Sequence, residues 1–288
     1  MLNFIYNPVA GKGKAQRFRM IIEEMLKARG VSYLFWETGM TGDGARLARE
    51  LSERGEKNIV AMGGDGTLHE VFNGIVDPSA INLGLIPCGS GNDFAAVAGI
   101  PTTAEGALEV LLNNPPKPTD YMDCSGVRGL NIIGAGIDVD ILRYSNQAKV
   151  LKGSLNYFVS LLRAISHFEF YRFDSRFNGQ ERHHNGLIVC ACNGTRFGGG
   201  IKICPDARID DGLLDIVIVE GLTKKRIPWT LVQLAREKIL QEKITLHERA
   251  GDIRAVFSKP AAIEIDGEIY ENLPYDVRII PGGMMLYR

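Results

Sequence analysis

The chain has 288 residues, 45% hydrophobic and 23% charged, with a formal net charge of −1. That balance suits one or two soluble globular domains and removes the electrostatic argument for a nucleic-acid partner. No run of about eighteen apolar residues marks a spanning helix, and Met1 to Pro8 lacks the basic and long apolar regions of a secretory signal.

The cysteines, Cys88, Cys124, Cys190, Cys192 and Cys204, are odd in number and scattered. A disulfide framework or a zinc cluster is therefore not expected, and the default compartment is the cytoplasm. Cys190 and Cys192, the only close pair, are read as lying on opposite faces if their segment is a strand.

Taken in order, Leu2–Tyr6 reads as a short apolar strand and Ala15–Arg29 as a helix, through the spacing of Phe18, Ile21, Ile22, Met25 and Leu26. Strand Tyr33–Glu37, helix Gly44–Arg54, strand Ile59–Met62, helix Thr67–Ile75, strand Asn82–Ile86 and helix Ala104–Leu112 follow. This alternation predicts a parallel sheet with flanking helices, which binds phosphate ligands at the C-terminal ends of its strands.

The proline-rich stretch Asn113–Pro118 breaks the pattern and marks a domain boundary. Beyond it, strands are expected at Asn131–Ile137, Tyr171–Phe177, Gly186–Ala191, Leu213–Val219, Ala261–Ile265 and Asp276–Ile280. Helices are expected at Leu155–Ser166 and Ile227–Gln241. The expected domains are an α/β unit over 1–119 and a β-sandwich-like unit over 120–282.

Gly63-Gly64-Asp65-Gly66-Thr67 sits at a strand-to-helix turn, where glycines let the backbone approach a phosphate and helix N–H groups bind it. An acid there would repel a bare polyphosphate, so Asp65 makes sense as a Mg²⁺ partner; the plain alternative is a capping Asp in a tight turn. Asn7-Pro8-Val9-Ala10-Gly11-Lys12 is a similar turn after the first strand, although not a Walker A loop.

Gly89-Ser90-Gly91-Asn92-Asp93 is a second acid-bearing glycine turn. If its strand neighbours the one before Gly63, Asp65 and Asp93 converge on one crevice. Pro205–Leu213 is an acidic turn that suits a hard cation or simply opens a strand. Asp266-Gly267-Glu268 is a turn signal whose Glu268 could serve as a general base. His69 borders the glycine loop, and His183 and His184 read as surface residues. The aromatic segment Tyr157–Leu162 with Phe168, Phe170 and Tyr171 reads as core or as an apolar entrance.

In this order the motifs resemble the diacylglycerol kinase catalytic family, in particular the bacterial soluble lipid kinases of the diacylglycerol kinase and YegS type. The resemblance spans nearly the whole chain, with Ser90 standing where the family has Thr. It implies a two-domain fold with the active site in the cleft between domains, and a C-terminal stretch, 283–288, that returns to the first domain.

It further implies an ATP site lined by Asn7, Pro8, Val9, Ala10, Gly11, Thr38, Gly64, Asp65, Gly66, Thr67, Leu68, His69, Glu70 and Ser90. Asp65, Asp93 and Asp120 would form a Mg²⁺–water network, with Asp123 the alternative to Asp120, and Glu268 would be the base. A structural Mg²⁺ maps to Asp211 with the carbonyls of Arg208 and Leu213.

The activity implied is ATP- and Mg²⁺-dependent phosphorylation of a lipid hydroxyl, diacylglycerol first among the candidates, with peripheral contact at a membrane surface. A soluble-substrate kinase of the NAD kinase or phosphofructokinase type, and a nucleotide-binding regulator without catalysis, are the alternatives. Oligomeric state is left open, a homodimer included.

Overall fold

Leu2–Tyr6, buried at every residue, forms β1. It takes parallel partners on both sides: β2 (Tyr33–Glu37), with Ile5 opposite Trp36, and β3 (Asn58–Gly63), with Ile5 opposite Ala61. A continuous apolar run is what a strand needs when helices cover both of its faces. β4 (Asn82–Pro87) extends the sheet beyond β3, and the end of the last strand lies parallel to β4, Met285 opposite Asn82. Helix α1 (Lys14–Ala28) buries Ala15, Phe18, Ile22 and Leu26, the single stripe its spacing predicts. Helices α2 (Asp43–Glu53), α3 (Asp65–Gly74), α4 (Asp93–Val97) and α5 (Ala104–Asn113) complete the layers.

The computed structural model describes residues 1–147, 170–221 and 223–288. They divide into one unit of Met1–Tyr121 with Pro281–Arg288 and a second of Met122–Ile280. The helix expected over Leu155–Ser166, the segment Tyr157–Leu162 and Phe168 lie outside the described residues.

The second unit is built on antiparallel strands. β9 (Gln180–Cys192) pairs with β8 (Tyr171–Phe177), β7 (Ile132–Gly136) and β12 (Leu214–Glu220). From Leu187 to Cys192 every residue of β9 is buried, and from Ile188 onward the period of two divides them between two cores. Val189 and Ala191 join Ile133, Phe173, Ile216, Ile218 and Ile253 on one face. Ile188, Cys190 and Cys192 join Ile132, Val217, Val219 and Ile239 on the other. Apolar cores on both faces are the sandwich-like arrangement expected.

The proline-rich stretch ends helix α5 at Asn113, as expected, and its last prolines open a strand, β5 (Pro116–Cys124), since an extended backbone tolerates the proline φ that a helix interior does not. Three local readings are corrected. Cys190 and Cys192, two residues apart on β9, share a face rather than opposing each other. The strand expected over Asn131–Ile137 stops at Gly136, and Ile137–Gln147 is helix α6. The helix expected over Ile227–Gln241 covers Ile227–Ala235 and resumes as a 3₁₀ turn at Ile239–Gln241, because Glu237 between them takes φ 60°.

Candidate active site

Three loops leave the C-terminal ends of neighbouring parallel strands β1, β3 and β4, and their backbones touch. In the first, the Asn7 carboxamide oxygen accepts the Val9 N–H at 3.1 Å. The chain then turns through Gly11 (φ 59°), Lys12 (φ 58°) and Gly13 (φ 90°) into α1. A Cβ at Gly11 would run into the carbonyl oxygen of Cys88 in the third loop. Only glycine combines that φ with that approach.

The second and third loops are equally close. A Cβ on Gly89 would lie 2.6 Å from the Gly64 Cα. The Cys88 N–H donates to the Gly63 carbonyl at 2.7 Å, and the Asp65 carboxylate accepts the Asn92 N–H at 2.8 Å. Asp65 thus opens α3 while fastening the loop that opens α4. Asn92 takes φ 56° to make that turn, and Asp93 follows it, buried, in the first turn of α4. Asp65 and Asp93 therefore lie at adjoining helix N-termini, where the backbone field favours negative charge.

The other residues expected at the nucleotide fall around these loops. Thr38 is buried at the end of β2, its N–H bonded to the Tyr6 carbonyl at 3.0 Å. The Glu70 carboxylate accepts the N–H groups of Gly42 and Gly44 at 2.9 and 3.0 Å, tying α3 to the start of α2. Thr67, Leu68 and His69 are buried in the first turns of α3, and Gly66 is half-buried there. Pro8 and Ala10 are half-buried, whereas Val9 and Ser90 are exposed. Burial holds the Cys88 thiol up at about 12, so it stays protonated and is no nucleophile.

Asp120 is buried on β5, and its carboxylate accepts the Gly282 N–H at 2.6 Å, which pins the returning C-terminal strand. It belongs to the same unit as Asp65 and Asp93. Asp123 belongs to the second unit, 3.5 Å from the Arg278 guanidinium.

Glu268 is exposed at the start of β16 (Glu268–Tyr270), which hairpins with β15 (Ile263–Ile265). Asp266 (φ 52°) and Gly267 (φ 93°) form the left-handed two-residue turn. The Asp266 carboxylate accepts the N–H groups of Leu130, Asn131 and Ile132 at 2.6, 2.9 and 3.1 Å, which anchors the hairpin to the entry of β7.

The comparisons with known proteins agree with this anatomy. Residues 1–124 match the family described as diacylglycerol kinase catalytic domain, and residues 131–288 match the YegS C-terminal NAD kinase beta sandwich-like domain. Proteins named "Probable lipid kinase YegS-like" include one from Chromohalobacter salexigens, 30% identical over 265 residues (87% of this chain, 81% of that one). Another, from Pseudomonas aeruginosa, is 30% identical over 256 residues (88% and 82%).

The chain belongs to the YegS-like lipid kinase family. It is accordingly a phosphotransferase with an alcohol acceptor. A crystal structure of a diacylglycerol kinase from Bacillus anthracis shares the fold at a TM-score of 0.80 and 23% identity, covering 99% of this chain and 96% of that one.

A nucleotide triphosphate and its cation fit the first unit of this YegS-like kinase: glycine-only cradles meet acids at two helix N-termini. The acidic turn of the second unit fits a cation less well. The Asp211 carboxylate accepts the Leu213 N–H at 3.2 Å and is paired with the Arg249 guanidinium, while Arg208 pairs with Asp210 at 3.4 Å. Arg249 already supplies the positive charge there. Nearby, Cys204, Asp215 and His247 converge with ligand atoms within 4.8 Å, although no spacing in the sequence signals it. Asp215 is held by His247 at 2.6 Å and approached by Arg249 at 3.8 Å.

Sequence reasoning missed Asp138. It is buried in the first turn of α6, and desolvation raises its pKa to about 7 against the opposing pull of the backbone N–H groups of Val139 and of Asp138 itself. An apolar strand reading over Asn131–Ile137 hid it, since nothing local shows that the chain turns into a helix at Ile137. His184, read as a surface residue, is buried between the Ser175 hydroxyl and the Glu220 carboxylate, both at 2.7 Å. His183 is exposed, as expected.

Proposed function

We propose that the enzyme transfers the γ-phosphoryl group of Mg·ATP to a lipid hydroxyl, diacylglycerol being the leading candidate. The observation that carries this reading is the contact of three glycine loops at the ends of β1, β3 and β4, joined by the Asp65 carboxylate on the Asn92 N–H. In this reading the first unit takes the nucleotide and the second takes the lipid.

The loops Asn7–Gly11, Gly64–Thr67 and Gly89–Asn92 cradle the phosphates, with Thr38, Leu68, His69, Glu70 and Ser90 around the nucleotide. Asp65, Asp93 and Asp120 would hold Mg²⁺ through water, and that cation would neutralise the charge of the transferring group. Asp120 is preferred to Asp123 because it shares a unit with the other two acids. Glu268, exposed and held out by the Asp266 anchor, accepts the proton of the lipid hydroxyl. Catalysis in this class is mostly positioning and electrostatics. A second cation at Asp211 with the carbonyls of Arg208 and Leu213 requires Arg249 to swing away, and it takes no part in the transfer.

The test is transfer of labelled γ-phosphate from Mg·ATP to a panel of lipids in mixed micelles, with NAD and sugar phosphates as soluble acceptors. Label on a lipid that Glu268→Gln loses, with ATP affinity kept, supports the reading. Label confined to a soluble acceptor refutes it.

A further inference from the structure

The helix Ile227–Ala235 follows Lys224-Lys225-Arg226 in the sequence and reads Ile-Pro-Trp-Thr-Leu-Val-Gln-Leu-Ala. A helix on a water-facing surface turns its apolar stripe inward and its polar residues outward. Here Thr230 and Gln233 are 3% and 7% exposed, whereas Trp229 and Val232 are 53% and 39% exposed. The inward orientation is secured: the Thr230 hydroxyl donates to the Arg226 carbonyl at 3.1 Å, and Leu234 packs on the core that holds Ile203, Cys204 and Ile239.

Trp229 and Val232, three residues apart, therefore share one outward stripe. Its rim is basic. Lys225 and Arg226 are exposed before it, and Arg236 and Lys238 after it. The acid among them, Glu237, is paired with Lys202 at 3.0 Å.

We propose that this face seats the enzyme on an anionic lipid bilayer. Tryptophan is suited to the headgroup boundary, because its ring is apolar while its N–H can stay wet, and the rim supplies the charge that an anionic leaflet attracts. A neutral partner would have no use for four basic side chains around the stripe. The proposal rests on the lipid-kinase reading, in which the acceptor lies in a membrane, and it locates the contact that brings the enzyme there. Reversible binding is what one short stripe and a basic rim provide.

The experiment is co-sedimentation of the full chain with vesicles of phosphatidylcholine containing phosphatidylglycerol, and with phosphatidylcholine alone. The wild type is expected on the anionic vesicles, released by salt. Trp229→Ser is expected to lose about tenfold in binding, by withdrawing one large side chain from apolar contact. Lys225→Glu with Arg226→Glu is expected to lose about twenty-five-fold or more, about fivefold for each basic group removed.

None of these residues belongs to the phosphate site, so turnover on a water-soluble short-chain diacylglycerol should be unchanged in all of them. Equal vesicle binding by wild type and variants, or none by the wild type, overturns the proposal. So does self-association of the wild type that Trp229→Ser abolishes, which would assign the stripe to a second copy of the chain. Variant-sensitive vesicle binding without phosphorylation of any lipid would uphold the surface and refute the kinase reading instead.

Discussion

Gly11→Ala probes the loop contact directly, and Gly13→Ala supplies its control. Both glycines sit at positive φ, 59° and 90°. An alanine at either site pays about 1–2 kcal/mol for the left-handed backbone. Their surroundings differ. A Cβ at Gly13 meets nothing within 4 Å, whereas one at Gly11 meets the Cys88 carbonyl oxygen closer than 3.0 Å. That carbonyl belongs to a residue whose own N–H is bonded to the Gly63 carbonyl at 2.7 Å, so it cannot yield cheaply.

The first loop must therefore withdraw, and a shift on the order of 1 Å at a reacting group costs about a hundredfold in rate. Gly13→Ala is expected to melt about 2–4 °C below wild type, and Gly11→Ala further below it because of the added clash. Gly11→Ala alone should lose about a hundredfold in kcat/KM for ATP, and Gly13→Ala less than about tenfold. Direct ATP titration, which needs no knowledge of the lipid, should rank them the same way. Equal ATP affinity in the two variants would refute the role of the loop contact.

Asp65→Asn keeps an oxygen for the Asn92 N–H but removes the charge, so its fold should stay intact while turnover falls by about a hundredfold or more, read by steady-state kinetics at saturating Mg²⁺. Asp266→Ala strands three backbone N–H groups and should cost on the order of 3 kcal/mol in urea unfolding, with turnover lost as well if the neighbouring Glu268 is the proposed base. Asp138 titrates near 7 rather than 3.8 because burial disfavours its charge. The folded chain then holds a proton that the unfolded chain has released, so stability should fall as pH rises from about 4 towards about 7. Melting temperatures across that range should show the fall in wild type and not in Asp138→Asn; parallel curves would refute the assignment.

Most of the first unit is written locally along the chain. Its strands are continuous apolar runs, its helices carry one stripe each, and glycines punctuate every strand end that matters, so each element is specified by neighbours within about one turn or one pleat. The order of the acid-bearing turns was enough to place the chain in its family. The period of two along β9 was legible in principle, yet which face each cysteine takes became plain only once both cores were built. Other features belong to tertiary structure alone. Asp266 satisfies N–H groups about 135 residues away, and Asp65 reaches the loop before Asp93. Nothing local records such partners, because a hydrogen bond depends on distance in space, not along the chain. The outward turn of Trp229 is decided the same way: periodicity shows which residues share a stripe, and only packing against Ile203 and Ile239 selects the stripe that faces water.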